Sequence, residues 1–215
     1  MPLICRSLVV AVTCVQALAA EPTPAAPAPA KKVIVFLGDS LSAGSGVEQT
    51  QAFPALVGEK IRERGLPYEV VNAGIGGDTT AGGLRRLDWL LQRRIDVLVL
   101  ELGGNDGLRG LPVANIKSNL QAMIDKAKAK EPDVKIVIAG MQIPPNVGAD
   151  YAAQFRQVFF DVAKENNAAM IPFLLEGVGG IRELNQPDMI HPNPTGHRMV
   201  AEVVWKTIEP LITAN

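Results

Sequence analysis

Three stretches of this chain are apolar almost without interruption: Val33–Leu37 (VIVFL), Ile95–Leu100 (IDVLVL) and Lys135–Ala139 (KIVIA). A strand with one wet face alternates apolar and polar side chains, whereas a strand covered on both faces does not. Strands of the second kind belong to a parallel sheet with helices on each side, and the segments between them supply the helices. The spacing predicts helices around Phe53–Arg64 and over Thr79–Arg93, Val113–Lys130, Tyr151–Asn166 and Thr195–Ile212, the last with Pro194 near its start. Tyr68–Asn72 and Ala169–Pro172 read as two further strands. The expectation is an α/β domain of about five parallel strands, without internal repeats. Ligands of such folds bind beyond the carboxyl ends of the strands, so the residues found there carry the functional argument.

A chain of 215 residues suits one such domain with a substantial core. Its net charge of −1 leaves no basic field for nucleic acid or an anionic membrane surface, which sets nucleic-acid binding aside. The first twenty residues differ from the rest. Arg6 precedes an alanine-rich apolar run, Leu8 to Ala20, which ends in the small-residue patterns Ala17-Leu18-Ala19 and Leu18-Ala19-Ala20. Residues 1–20 therefore read as an export signal peptide, and the run is shorter than the roughly 20 residues a membrane span requires. Cys14 raises the alternative of lipid attachment. Thr13 before it is larger than the small residue wanted there, and the apolar run continues beyond it, so a periplasmic or secreted chain is expected. Residues 21–31, with EPTPAAPAPA, read as an extended Pro/Ala-rich spacer, and the domain is expected over 32–215. Both cysteines, Cys5 and Cys14, fall in the leader. The domain is thus expected to use no disulfide, no cysteine nucleophile and no thiolate metal site.

Four stretches at the strand ends carry polar residues of chemical interest. Gly38-Asp39-Ser40-Leu41-Ser42-Ala43-Gly44 follows the first strand, and a serine in a tight turn there projects its hydroxyl into the crevice, with Asp39 as a cap for the turn. No Gly-Lys-Ser/Thr follows, so this is not a phosphate loop. Asn72-Ala73-Gly74-Ile75-Gly76-Gly77-Asp78-Thr79-Thr80 brings bare backbone N–H groups ahead of a helix, which Asp78 or Thr79 would cap. It lacks the third glycine of a dinucleotide fingerprint, since Thr79 stands in that place. Glu101-Leu102-Gly103-Gly104-Asn105-Asp106-Gly107 offers the Asn105 amide, a neutral donor suited to an oxyanion. In Asp188-Met189-Ile190-His191, a helical turn would let Asp188 accept from His191 Nδ1 and leave Nε2 free as a base. His197, on the last helix without a paired acid, is read as packed or at the surface. Each stretch alone also reads as ordinary turn chemistry; what points to one crevice is their joint order along the strands. Too few ligands gather near His191 for a metal, and no cofactor is expected.

Taken together, Gly38-Asp39-Ser40-Leu41, the glycine turn ending at Gly77, Gly104-Asn105-Asp106 and Asp188-x-x-His191 resemble the four sequence blocks of the SGNH (GDSL) hydrolases. The resemblance runs from about Val33 to Leu211 and is strongest to the bacterial arylesterase, thioesterase I and lysophospholipase-like branch, through GDSLSAG, NAGIGGDTTAGGL, ELGGNDGLRG, MQIPPNVGADY and HPN. It implies a flavodoxin-like three-layer α/β/α sandwich and a serine hydrolase of aryl or acyl esters, thioesters or lysophospholipids. It further implies Ser40 as nucleophile, Asp188 and His191 completing a triad, and an oxyanion hole made by the Ser40 and Gly77 N–H groups and the Asn105 amide. Three positions depart from that pattern: Gly76 where serine is frequent, Met189 where glycine is frequent, and Ser45 where an aromatic residue is common.

The loop from Met141 to Asp150 is expected to border the crevice, with Met141, Ile143 and Pro144 as candidate substrate contacts and Val147 beside them. A small-molecule acyl ester is the expected partner. Two rivals are a carbohydrate O-acetylesterase, for which 5% aromatic residues offer no evident sugar-stacking platform, and a catalytically silent binding module on the same scaffold. The oligomeric state has no signature in the sequence.

Overall fold

Lys32–Gly38 (β1) is the strand around which the sheet is organised: it pairs in parallel with Tyr68–Gly74 (β2) on one side and Val97–Glu101 (β3) on the other. Lys135–Ala139 (β4) and Ala169–Ile171 (β5) extend the sheet beyond β3, all in parallel, in the order β2-β1-β3-β4-β5. A computed structural model describes residues 30–143 and 147–214. The leader at 1–20, most of the spacer and Pro144 lie outside the described residues.

The helices are Ser40–Ala43 (α1), Phe53–Glu63 (α2), Thr80–Leu90 (α3), Gly104–Leu108 (α4), Val113–Lys130 (α5), Ala149–Glu165 (α6) and Pro194–Thr213 (α7). Right-handed crossovers put α2 on one face of the sheet and α3, α5 and α6 on the other. Contacts agree: α2 packs on α7, while α5 packs on both α3 and α6. This is the three-layer α/β/α sandwich with flavodoxin-like strand order. The inner strands are apolar throughout because both faces are covered: Ile34 to Leu37 and Val97 to Leu100 are buried. At the sheet edge, β2 keeps partly exposed residues and a mixed sequence. Among the described residues no helix is long and apolar enough to cross a membrane.

Expected and observed elements coincide for α5 and β4 and shift by a few residues elsewhere. Two α-helices are additions, α1 and α4, each short and close after a strand. Chain direction along the sheet reverses between β1 and β3, and the crevice outside their carboxyl ends is the binding place of such folds. Both added helices stand at that crevice, one after β1 and one after β3.

Candidate active site

Ser40 begins α1, and Asp39 caps that helix by accepting the Leu41 N–H at 3.0 Å. The Ser40 hydroxyl stands 2.9 Å from His191 Nε2. His191 comes from the segment between β5 and α7, which is not the helical turn expected from its spacing to Asp188. Met189 adopts a left-handed φ of 61°, and Asp188 Oδ1 accepts the backbone N–H groups of Ile190 (2.9 Å) and His191 (3.0 Å). A carboxylate that folds back on its own backbone in this way shapes the turn as a helix would not. The result still brings acid and ring together: Asp188 Oδ2 lies 2.7 Å from His191 Nδ1. The backbone bond from His191, the ring bond and the Ile190 bond hold the Asp188 carboxyl down to about 2. With Asp188 ionised, Nδ1 carries a proton and Nε2 is the acceptor facing the Ser40 hydroxyl. Gln186 anchors the turn, its backbone N–H to His191 O at 2.8 Å and its side-chain amide to Ser45 O at 2.7 Å.

Opposite His191, three loops converge. Gly77 occupies the turn after β2 with φ 76°, a conformation that suits glycine. Arg86 of α3 holds this turn: its guanidinium pairs with Asp78 at 2.8 Å and donates to Ala73 O (2.6 Å) and Gly38 O (2.9 Å), the ends of β2 and β1. Thr79, one of the two expected caps, is the N-cap of α3, which leaves Asp78 to Arg86. Asn105 lies on α4, and its amide donates to Asp39 Oδ2 and to Asp78 O, each at 3.0 Å. It thereby joins the Ser40 loop to the Gly77 loop. Asp106 beside it accepts the Thr80 N–H (2.8 Å) and hydroxyl (2.6 Å), locking α4 to the start of α3. No hydrogen bond among the described residues engages the Ser40 or Gly77 N–H groups. The structure thus gathers Ser40, His191 and Asp188 in one relay, and Asn105 between Ser40 and Gly77.

Next to the relay lies an apolar cavity of about 350 Å³, lined among others by Leu41, Leu108, Met141, Ile143, Phe173 and Ile190. Met141 and Ile143 are among the residues that line it; Val147 is exposed and outside this lining. The three departures from the family pattern surround the crevice. Met189 lines the cavity, and a Cβ on Gly76 would meet only Ser45 Oγ, at 3.7 Å. There is therefore room for the frequent serine, and Gly76 with Ser45 leaves that side of the crevice open. A larger hollow, about 690 Å³, lies over β2 and α2, but Lys31, Glu59, Arg62 and Glu69 line it and no relay residue does.

His197 is packed, not at the surface: its Nδ1 accepts the Phe53 N–H at the start of α2, and its ring stacks on Phe53. Burial, helped by His191, lowers its pKa to about 4, which keeps it neutral and able to accept. Among the described residues no group of three or more His, Cys, Asp or Glu is placed to hold a metal ion. Sequence reasoning gave no part to Arg86, Asp106 or Glu101. For Glu101 there was a signal, a charged residue closing an otherwise apolar strand; for Arg86, on a helix with many polar positions, there was none.

Residues 36–199 match the GDSL-like lipase/acylhydrolase family. The chain is 42% identical to esterase TesA of Pseudomonas aeruginosa over 184 residues, covering 85% of this chain and 90% of that protein. It is 36% identical to thioesterase 1/protease 1/lysophospholipase L1 of Escherichia coli K12 over 186 residues, 86% and 87% of the two chains. Among solved structures, the psychrotrophic esterase EstA from Pseudoalteromonas sp., in a form inhibited by monoethylphosphonate, superposes with a TM-score of 0.79 at 33% identity, over 84% of this chain and 98% of that one. With its fold, its crevice and its sequence in agreement over most of its length, this chain belongs to the GDSL-like lipase/acylhydrolase family.

Proposed function

We propose that this chain hydrolyses carboxylic esters through an acyl-enzyme on Ser40, with His191 as base and Asp188 as its orienting acid. The observation that carries the reading is the relay from Ser40 Oγ through His191 to Asp188, at 2.9 and 2.7 Å, at the edge of an apolar cavity. Ser40 attacks the ester carbonyl while His191 Nε2 takes its proton; His191 then protonates the departing alkoxide, and water releases the acyl group by the reverse sequence. The free N–H groups of Ser40 and Gly77 receive the oxyanion. Asn105 joins them by turning one amide hydrogen away from Asp39 or the Asp78 carbonyl. At about 350 Å³ the cavity is near the lower end of ligand sites, roughly 300–1,000 Å³, and its apolar lining suits an acyl chain. Met189 and the open side at Gly76 and Ser45 are the places where chain-length preference is set. The names of the relatives extend the reading to thioesters and lysophospholipids as substrates. The charged leader and the apolar run to Ala20 support an exported chain, with the spacer over 21–31 and the domain over 32–215.

The test is hydrolysis of p-nitrophenyl esters from acetate to palmitate by the full chain and by Ser40→Ala. Activity that Ser40→Ala abolishes, with stoichiometric labelling of the wild type by an organophosphonate, is expected. Activity that survives in Ser40→Ala would end this reading.

A further inference from the structure

Glu101, the last residue of β3, takes no part in the acyl-transfer scheme, yet its side chain is fully buried against the turn that carries Ser40. Its Oε2 accepts three hydrogen bonds from that turn: the Asp39 N–H at 3.2 Å, the Ser42 N–H at 3.1 Å and the Ser42 hydroxyl at 2.6 Å. Ser40 lies between these anchors. Across the sheet Glu101 pairs with Gly38, where a Cβ would stand 2.3 Å from Glu101 Oε2 and 2.2 Å from Ser42 Oγ. Glycine at 38 is therefore the opening through which the carboxyl reaches the turn, and any larger residue would close it.

We propose that Glu101 is the positioning residue of the nucleophile, strapping Asp39 and Ser42 to the end of β3 so that the Ser40 hydroxyl is held within reach of His191. This rests on the assignment of Ser40 as nucleophile. The strap works as the neutral acid. Glu101 Oε1 is buried and meets no donor among the described residues. An ionised Glu101 would leave that oxygen unpaired, beside a second buried carboxyl, Asp39. A proton on Glu101 removes the second charge, and a side-chain hydrogen bond from Glu101 acts to lower the Asp39 carboxyl. Burial, reinforced by Asp39, pushes the Glu101 carboxyl well above the usual carboxylate range. Asp39 has donors on both of its oxygens, Leu41 N–H on one and the Asn105 amide on the other, so it keeps the negative charge of the pair. Burial raises it too, to about 6, and those two bonds act against the rise. One buried carboxyl group thus places the nucleophile, and the other holds Asn105.

The experiment compares the full chain with Glu101→Leu, Glu101→Gln and Ser40→Ala, measuring kcat and KM for p-nitrophenyl acetate and the melting temperature of each. Glu101→Leu removes the acceptor and is expected to lower kcat about 100-fold with KM within about twofold, as misplacement of a reacting group does. Glu101→Gln keeps a carbonyl for the turn and puts N–H donors where the proton stood. It is expected to retain kcat within about threefold. A folded Glu101→Leu with wild-type kcat, or a Glu101→Gln as impaired as the leucine variant, would overturn the proposal. Should Glu101→Leu not fold, Ser42→Ala removes only the hydroxyl donor; kcat lowered about fivefold at unchanged KM supports the strap, and unchanged kcat refutes it. Ser40→Ala separates the two readings. If it stays active, the assignment of the nucleophile fails; if it is inert while Glu101→Leu is active, only the strap fails.

Discussion

Asp39, Glu101 and Asp106, which surround Ser40 and Asn105, are no more than 2% exposed, whereas the Asp188 side chain is 44% exposed. The two sides of one crevice are held by different physics. On the donor side, carboxyl groups taken out of water accept backbone N–H and hydroxyl bonds of 2.6–3.2 Å and tie together the loops after β1, β2 and β3. Burial raises the pKa of both Asp39 and Glu101, which disfavours two charges side by side there. On the base side, Asp188 stays in water and is held ionised by local backbone donors and the His191 ring. In the proposed mechanism, charge must be reliable where it orients the imidazole, and geometry must be reliable where N–H groups meet an oxyanion. Each side supplies what its step needs.

The sharpest way to break this contrast is to replace the exposed acid. Asp188→Asn removes the charge that fixes the His191 tautomer and is expected to lower kcat about 10³- to 10⁴-fold. Because the group is half in water, the melting temperature should move little. A fall of less than tenfold would mean that backbone packing, not Asp188, orients the ring. The counterpart on the buried side is Asn105→Ala. Loss of one oxyanion donor is expected to reduce kcat about 100- to 1,000-fold. Unlike Asp188→Asn, it also cuts the link between Asp39 and Asp78, so stability should drop by roughly 1–3 kcal/mol. Kinetics together with thermal unfolding of both variants decide the matter: equal stability loss in the two would erase the distinction between the sides.

The same contrast governs how much was legible in the sequence. The sheet was readable because burial on both faces writes itself as unbroken apolar runs, as at Val33–Leu37 and Lys135–Ala139. Polar residues at the ends of those runs marked the crevice, and Ser40, Gly77, Asn105, Asp188 and His191 all border it. Helices α1 and α4 were not readable, since four residues, or five of which two are glycine, cover too few turns of a 3.6-residue period to show a pattern. Nor was the turn at Asp188: a three-residue spacing serves a helical turn and a carboxylate folded onto its own backbone equally well. The buried network was the least visible part. Arg86, Asp106 and Glu101 owe their roles to partners 8 to 62 residues away in the chain, and such pairings have no local signature.

Met189 gives the smallest and most pointed test, because it sits on the exposed side with a backbone that does not suit its side chain. A left-handed φ of 61° at a residue with a Cβ costs about 1–2 kcal/mol. Glycine removes that cost but adds conformational entropy to the unfolded chain, about 0.4–1 kcal/mol. Met189→Gly is therefore expected to stabilise the fold by roughly 0.5–1 kcal/mol, a rise in melting temperature of about 1–4 °C. The side chain also lines the apolar cavity, so its loss should weaken the binding of long acyl esters while leaving acetate unaffected. Removal of one such contact, about 1 kcal/mol, corresponds to a KM for the decanoate ester raised about fivefold. Gain in stability with loss of long-chain preference would show that the turn carries strain in exchange for substrate contact. A lower melting temperature would show that the methionine packs well enough to outweigh its backbone, and the base side would then be as tightly determined by packing as the donor side is by hydrogen bonds.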